Sequence, residues 1–118
     1  MGLDQHIVMA HNKKELESNY VEYIDARGMD EFDYTQPAEL WYNRKNWDLH
    51  TRLAERFDLE NGEWIELDEK ALEDILQFVT HNTDYWGGFS SVPDICKILY
   101  NYKQIRENGF SIFYEGDY

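Results

Sequence analysis

Apolar and polar positions alternate near both ends of the chain. In residues 3–9, LDQHIVM, the alternation places the polar Gln5 on the same side as apolar residues. Residues 110–114, FSIFY, alternate in the same way. Because successive side chains of a strand point to opposite faces of a sheet, both segments predict β-strands. We expect the two terminal strands to be neighbours in one sheet.

Between these strands, apolar residues recur at the intervals of three and four that are typical of helices. The first predicted helix covers residues 13–26. The second covers residues 37–57 and begins at Pro37, where the missing N–H of proline leaves no bond unmade. The third follows Asp68, a residue type that caps helices. The fourth follows residues 91–94, SVPD, which resemble a capping box.

Turn residues separate these elements. Gly28 and Gly109 are expected to end the first and last helices. Asn61-Gly62 predicts a turn before a short strand at 63–67. Residues 29–36 and 81–90 are expected to be loops. The order of elements predicts one α+β domain, a small antiparallel sheet that includes the terminal strands and carries three to four helices on one face.

Charge narrows the classes of function. The 118-residue chain has a net charge of -13, so direct binding of nucleic acid through a basic face is not expected. No apolar run approaches the ~20 residues of a membrane span. The N-terminal residues lack the pattern of a signal peptide, and the single cysteine cannot form an internal disulfide, so we expect a protein of a reducing cytosol.

Residues that could carry chemistry are few. Cys96 is the single cysteine and lies among the apolar residues Ile95, Ile98 and Leu99, so we expect a buried, unreactive thiol. The four histidines are scattered without the spacing of a zinc site. We therefore expect no metal, no cofactor and no assignable catalytic residue, and enzyme activity stays an open question.

Four of the eleven basic residues gather in residues 37–57, where they outnumber the three acidic residues: Arg44, Lys45, Arg52 and Arg56. On a helical wheel, Asn46 and His50 fall within the apolar stripe of that predicted helix. One interpretation is that both are structural and hydrogen-bonded in the core. The other is a pocket for a small anion or phosphate, with Lys45 and Arg52 at its rim.

The same four cations have a second interpretation that involves no ligand. They could pair with the acidic residues of 29–33 and 58–69, and such surface pairs contribute little to stability individually. The sequence leaves the choice between these interpretations open.

Short motifs resemble a known set of proteins. MGLD at the start, E-L-x-Y-x-R-K followed by Leu-His, a Gly-Phe loop near position 88 and a closing F-x-x-F-Y are the residues concerned. They resemble a family of small tailed-phage and prophage proteins of unknown function that begin MGLDMYL and carry YWRK before (I/L)H. The resemblance implies a phage origin and hence expression in a bacterial cytoplasm. It also marks positions that match the family motif: Asp4, Tyr42, Arg44, Lys45 and His50.

Three functions remain open at this point. The first is an acidic module that binds and modulates a host protein, including the case of a nucleic-acid-binding enzyme that it binds by imitating DNA. Its candidate partner-binding residues are Asp30, Glu31, Asp33, Glu60, Glu63, Glu66 and Asp68. The second is a domain that binds a small anion, or a small enzyme, with candidate residues Asp4, Tyr42, Arg44, Lys45, Asn46, His50 and Arg52. The third is a structural role without a site. The oligomeric state is left open.

Overall fold

The computed structural model describes residues 2–18, 23–27, 31–81 and 88–118, and within them five strands and five helices alternate irregularly. Their bounds in chain order are β1 Asp4–Ala10, α1 Lys13–Glu17, β2 Ile24–Asp25, β3 Ala38–Arg44, α2 Trp47–Phe57, β4 Ile65–Leu67, α3 Glu69–His81, α4 Gly88–Tyr100, α5 Tyr102–Glu107 and β5 Ser111–Asp117. The predicted α+β class is confirmed.

The strands form one sheet in the order β2-β3-β1-β5-β4. β1 lies at the centre and pairs antiparallel with β3 and with β5, so the predicted neighbourhood of the terminal strands is confirmed. β4 also pairs antiparallel with β5. The sheet is mixed, because β2 runs parallel to β3.

One face of the sheet carries the main core and is covered by α2, α3, α4 and α5; we call it the helix-covered face. Each of these helices contributes buried aliphatic side chains, among them Leu53 from α2 and Ile75 from α3. The sheet contributes residues such as Ile7 and Tyr114. The helices therefore hold the sheet by burying apolar area, the dominant stabilising contribution in a domain of this size.

The second face of the sheet is covered over only one end. There α1 places Leu16 over Val8, Ala10 and Phe113, and Trp64 completes this smaller cluster. The prediction of helices on a single face is therefore wrong for α1. At the other end of this face the strands present polar side chains instead.

The predicted helix at 37–57 is correct only in its second half. Residues 38–44 form β3, and α2 begins at Trp47 with Asn46 as its N-cap. A bulge places two consecutive residues of β3, Leu40 and Trp41, opposite Ile7, and both side chains enter the main core. The strand alternation is broken at that point, so the apolar spacing imitates a helix.

The predicted helix at 13–26 is also shorter than expected. α1 ends at Glu17 because Ser18 adopts an extended conformation, and Ile24 belongs to a strand that pairs with Ala38. Gly28, the predicted end of that helix, lies outside the described residues. Residues 31–36 are irregular, as predicted.

The last helical region differs from the prediction at its start. α4 begins at Gly88 rather than after residues 91–94, and the side chain of Ser91 accepts a hydrogen bond from Trp41 Nε1 at 2.8 Å instead of capping a helix. Cys96 is exposed, so its predicted burial is wrong. Its neighbour Ile95 points into the core, and one residue further along a helix lies about 100° away.

Other local signals are confirmed. Asp68 Oδ1 accepts a hydrogen bond from the Ala71 N–H at 2.7 Å and caps α3. Gly62 and Gly109 both have positive φ, at the predicted turn and at the predicted helix end. β4 falls within the predicted strand at 63–67.

Candidate functional site

A network of buried polar side chains lies where β1, β5 and the start of α2 meet on the helix-covered face. The Asn46 N–H donates to Gln5 Oε1 at 3.1 Å, and Gln5 Nε2 donates to the Asn46 carbonyl at 3.2 Å. The two bonds fix the orientation of the Gln5 amide, because only its oxygen can accept from a backbone N–H. Gln5 thereby joins the centre of the sheet to the N-cap of α2.

The Gln5 amide also holds a second pair of buried side chains, Tyr114 and His50. Gln5 Nε2 donates to the Tyr114 hydroxyl at 3.1 Å, and that hydroxyl lies 2.9 Å from His50 Nδ1. Since the hydroxyl oxygen already accepts from Gln5, its own proton is free to be donated to His50 Nδ1. The imidazole is then neutral, with its proton on Nε2.

Burial acts on both titratable groups of this network. It lowers the pKa of His50, which has no carboxylate partner, and it raises the pKa of Tyr114 well above its ordinary value. Protonating Nδ1 of His50 would also remove the acceptor of the Tyr114 hydroxyl proton. The network is therefore built from neutral groups and stays so at pH 7.

One atom of the network lacks a partner. Asn46 Oδ1 caps α2 by accepting from the Leu49 N–H at 3.1 Å, but the buried Asn46 Nδ2 has no hydrogen-bond partner. A buried donor without a hydrogen-bond partner costs about 1–3 kcal/mol of stability. It is the single buried side-chain nitrogen or oxygen atom in this condition among the described residues.

Gly116 makes room for His50. A Cβ atom at this position of β5 would overlap the imidazole ring, in contact with both Nδ1 and Cε1 of His50. The absence of a side chain here lets α2 bring the ring directly against the strand.

Charged pairs occupy the uncovered end of the second face. His6 Nδ1 lies 2.6 Å from Glu39 Oε1, and the Tyr42 hydroxyl donates to Asp4 Oδ1 at 2.8 Å. Arg44 Nε lies 3.2 Å from the same Asp4 oxygen. The hydrogen bond to Asp4 raises the pKa of Tyr42.

A further carboxylate lies beside these pairs. Glu115 stands directly opposite His6 in the sheet, and partial burial raises its pKa while the nearby histidine opposes that shift. Burial, with the charges of Glu39 and Glu115, also raises the pKa of Tyr23. Sequence reasoning missed Glu39 and Glu115, because strand pairing rather than local spacing brings them to His6.

The structure separates the predicted ligand-binding residues into different places. Asp4, Tyr42 and Arg44 lie together on the second face, whereas Asn46 and His50 lie in the buried network. Lys45 is exposed at the turn between them, with a left-handed backbone conformation at φ 63°. The helical wheel that united these positions does not apply, since residues 38–44 are a strand.

The cations of α2 pair with an acidic residue outside the two predicted segments. Arg52 Nη2 lies 3.0 Å from Asp74 Oδ1, and Arg56 Nη1 lies 3.3 Å from Asp74 Oδ2. The pKa of Asp74 is lowered chiefly by its hydrogen bond to Arg52. The expected pairing with residues 29–33 and 58–69 is thus wrong for both arginines.

The residues predicted to bind a partner are mostly exposed. Residues 58–69, which we call the acidic segment, hold six carboxylates and no basic residue. The segment follows the end of α2, forms the edge strand β4 and reaches the first residue of α3. Glu31 and Asp33 are also exposed, while Asp30 lies outside the described residues.

Ion pairs neutralise part of the acidic segment. Lys13 Nζ lies 3.6 Å from Glu63 Oε1, and Arg106 Nη1 lies 3.5 Å from Glu66 Oε1. The four remaining carboxylates are exposed and form no ion pair with another described residue: Asp58, Glu60, Asp68 and Glu69. Part of the acidic segment therefore carries exposed negative charge that no basic residue of the described part of the chain neutralises.

The sequence offered one signal for the buried network. Gln5 was expected on the same side of its strand as apolar residues, and a polar side chain in that position needs a buried partner. Nothing local indicated that the partner would be Tyr114, which lies 109 residues away along the chain.

Two kinds of feature are absent from the described residues. No group of three or more histidine, cysteine, aspartate or glutamate side chains is placed to hold a metal ion. No helix in the same part of the chain has the length and apolar character needed to cross a membrane.

Comparison with known proteins gives no relative from which a role could be transferred. No protein-family model matches the chain, and no curated protein or solved structure matches it significantly.

Proposed function

We propose that this chain is an interaction domain whose acidic segment binds a basic surface on another protein. In line with the resemblance to phage proteins, the partner is a host protein of the bacterial cytoplasm, and binding modulates its activity. One observation carries the proposal: four exposed carboxylates of the acidic segment have no ion-pair partner among the described residues.

The position of this charge supports recognition by an approaching protein. β4 is an edge strand, and its Glu66 points away from the core. Carboxylates at such an edge oppose pairing with a second acidic chain and attract a basic one. Glu31 and Asp33 add exposed negative charge from another part of the chain.

The acidic segment suits a basic surface that evolved to bind nucleic acid. Proteins bind phosphates through clustered lysine and arginine side chains, and the same side chains can bind exposed carboxylates. If the partner is a nucleic-acid-binding enzyme, the acidic segment binds it by imitating DNA.

The test compares two charge-reversed proteins with the same net charge. One carries Glu60→Lys and Glu66→Lys in the acidic segment. The other carries Glu17→Lys and Glu107→Lys, whose carboxylates are exposed and lie at the ends of α1 and α5. Asp68 and Glu63 are left unchanged, because Asp68 caps α3 and Glu63 accepts a hydrogen bond from the Glu60 N–H.

The measurement is capture from bacterial lysate at low and high salt, followed by association kinetics with the purified captured protein. We expect the acidic-segment variant to associate about tenfold more slowly and to lose most of the salt dependence. The control variant should behave like the unmodified chain, and melting curves check that both variants fold. Equal capture by both variants at low salt would refute the proposal.

The second candidate function, binding of a small anion, has one supporting observation. The unpartnered Asn46 Nδ2 lies at the residue next to the exposed cation Lys45. Its test is a phosphate titration followed by amide chemical shifts, with Lys45→Ala as the variant. Millimolar phosphate should shift the amides of residues 44–47 in the unmodified chain alone. An unchanged spectrum would remove this candidate.

A further inference from the structure

Two large aromatic side chains are exposed side by side above His50. The exposed fractions are 41% for Trp47 and 42% for Tyr118. Their ring centroids lie 5.0 Å apart with an interplanar angle of 64°. Tryptophan and tyrosine are enriched near the centres of protein interfaces, where they contribute much of the binding energy.

The ring of His50 forms the base of this group. It lies 6.1 Å from the Trp47 ring and 5.3 Å from the Tyr118 ring, in edge-to-face arrangements with both. We call Trp47, His50 and Tyr118 the aromatic patch. Its base is held by the Tyr114 hydroxyl, and the neutral imidazole places no positive charge beneath the two exposed rings.

The backbone also holds the patch in place. The Tyr118 N–H donates to Asn61 Oδ1 at 2.9 Å, and Asn61 Nδ2 donates to the Tyr118 carbonyl at 2.8 Å. Trp47 is the first residue of α2, whose N-cap is fixed to Gln5. Rings that are already ordered lose little conformational freedom when a partner binds.

Exposed acidic residues are neighbours in the sequence of residues that form or hold the aromatic patch. Asn61, which holds Tyr118, belongs to the acidic segment and follows the exposed Glu60. The exposed Asp48 follows Trp47 directly. Acidic residues beside exposed aromatic faces suit a side chain that is both cationic and able to stack.

We propose that the aromatic patch binds an arginine side chain of the basic partner, and that it is the anchor of the interface whose outer part is the acidic segment. This inference rests on the proposed function and names the partner's chemistry at one point. A guanidinium group fits better than an ammonium group, because it is planar, stacks on aromatic faces and is more weakly hydrated. We expect the two parts of the interface to control different rates. The acidic segment sets the association rate, and the aromatic patch sets the residence time.

The probes are three synthetic peptides of alternating glycine with arginine, lysine or citrulline. Citrulline keeps the planar shape of arginine without its charge. The Trp47 indole N–H signal of the unmodified chain, assigned with Trp47→Phe, reports binding in two-dimensional NMR spectra. We expect it to move most with the arginine peptide, less with the lysine peptide and least with the citrulline peptide.

The matched variants are Trp47→Ala and Tyr100→Ala. Tyr100 is 90% exposed and lies at the end of α4, so its removal controls for the loss of an exposed aromatic ring. Binding to these variants is followed by the backbone amide signal of Tyr118, because Trp47→Ala lacks the indole. Trp47→Ala should weaken binding of the arginine peptide about fivefold to tenfold and abolish the preference for arginine over lysine. Tyr100→Ala should leave both unchanged.

Each other outcome is decisive. Equal affinities of Trp47→Ala and the unmodified chain would overturn the arginine anchor, and so would an absence of any indole shift. An indole signal that moves with protein concentration alone would also overturn it, since a second copy would then occupy the patch.

The double variant of Glu60 and Glu66 separates this inference from the proposed function. If it weakens all cationic peptides while Trp47→Ala weakens none, the acidic interaction stands and the anchor fails. If only Trp47→Ala matters, the anchor stands and the acidic segment has no part in binding.

Discussion

The two faces of the sheet each hold a histidine, in opposite chemical surroundings. On the helix-covered face, His50 is buried and meets the hydroxyl of Tyr114. On the second face, His6 is partly exposed and meets the carboxylate of Glu39 at 2.6 Å. One face satisfies its polar groups with neutral partners, and the other with charged ones.

The difference follows from the cost of removing charge from water. A buried ion needs a closely placed counter-ion, whereas a buried neutral group needs only a hydrogen bond. Four helices cover the first face, so its polar residues, such as Gln5 and Asn46, carry no charge. The uncovered end of the second face tolerates Asp4 and Arg44 because water still reaches them.

The largest expected effect concerns the apolar contacts that distinguish the helix-covered face. Leu53→Ala should lower the free energy of unfolding by about 2–5 kcal/mol, because the side chain is fully buried in the main core and its loss leaves a cavity. Chemical denaturation measures the change. Thr51→Ala, on the exposed side of α2, should change it by less than about 0.5 kcal/mol. Comparable values for the two variants would mean that α2 is packed differently.

A pair of matched tyrosine variants tests the comparison directly. Tyr114→Phe removes the hydroxyl that joins Gln5 to His50, and should cost about 1–3 kcal/mol because buried groups lose their partner. Tyr42→Phe removes a hydroxyl that donates to the water-accessible Asp4, and should cost less than about 1 kcal/mol. Denaturation of both variants at pH 7 gives the two values. Equal costs would show that the faces do not differ in the way proposed.

The smallest expected effect is a dependence on pH. Because burial lowers the pKa of His50, the unfolded chain takes up a proton at this residue near pH 6.5, before the folded chain does. The free energy of unfolding is therefore unaffected by this residue above pH 7. It decreases as the pH falls through 6.5, because the proton binds to the unfolded state, and it stops decreasing once the pH is below the pKa of the folded state. The loss is at most about 1.4 kcal/mol per pH unit.

Denaturation between pH 7.5 and pH 5 measures this dependence. His50→Gln should show a shallower fall than the unmodified chain, since the titrating group has been removed. Thr51→Ala, a change at an exposed position of α2 without a titratable group, should keep the original slope. If the His50→Gln and unmodified profiles were parallel, the histidine would titrate alike in both states.

Elements whose signals are local could be predicted from the sequence. The Asp68 cap, the Asn61-Gly62 turn and the positive φ of Gly109 each depend on a few neighbouring residues. The terminal strands alternate over part of their length, and this is enough to predict them. In β3 the bulge brings Leu40 and Trp41 to the same side, so an alternating pattern is absent and pairing with β1 decides the structure.

The site illustrates the same limit. Asn46 is a residue type that begins helices, yet Pro37 offered an earlier start, and only strand pairing excludes the helix there. The grouping of His50 with Tyr114 and Gln5 depends on β1 lying beside β5. Contacts made across a sheet leave no periodicity in the chain itself.

The close approach of Gly116 to His50 ties together two positions that lie 66 residues apart in the sequence. A methyl group at position 116 and an imidazole at position 50 cannot occupy the same space. Among chains that share this fold, a larger residue at 116 is therefore compatible only with a smaller one at 50. Substitution at one site should permit or forbid substitution at the other, so the two positions should covary and evolve as a pair.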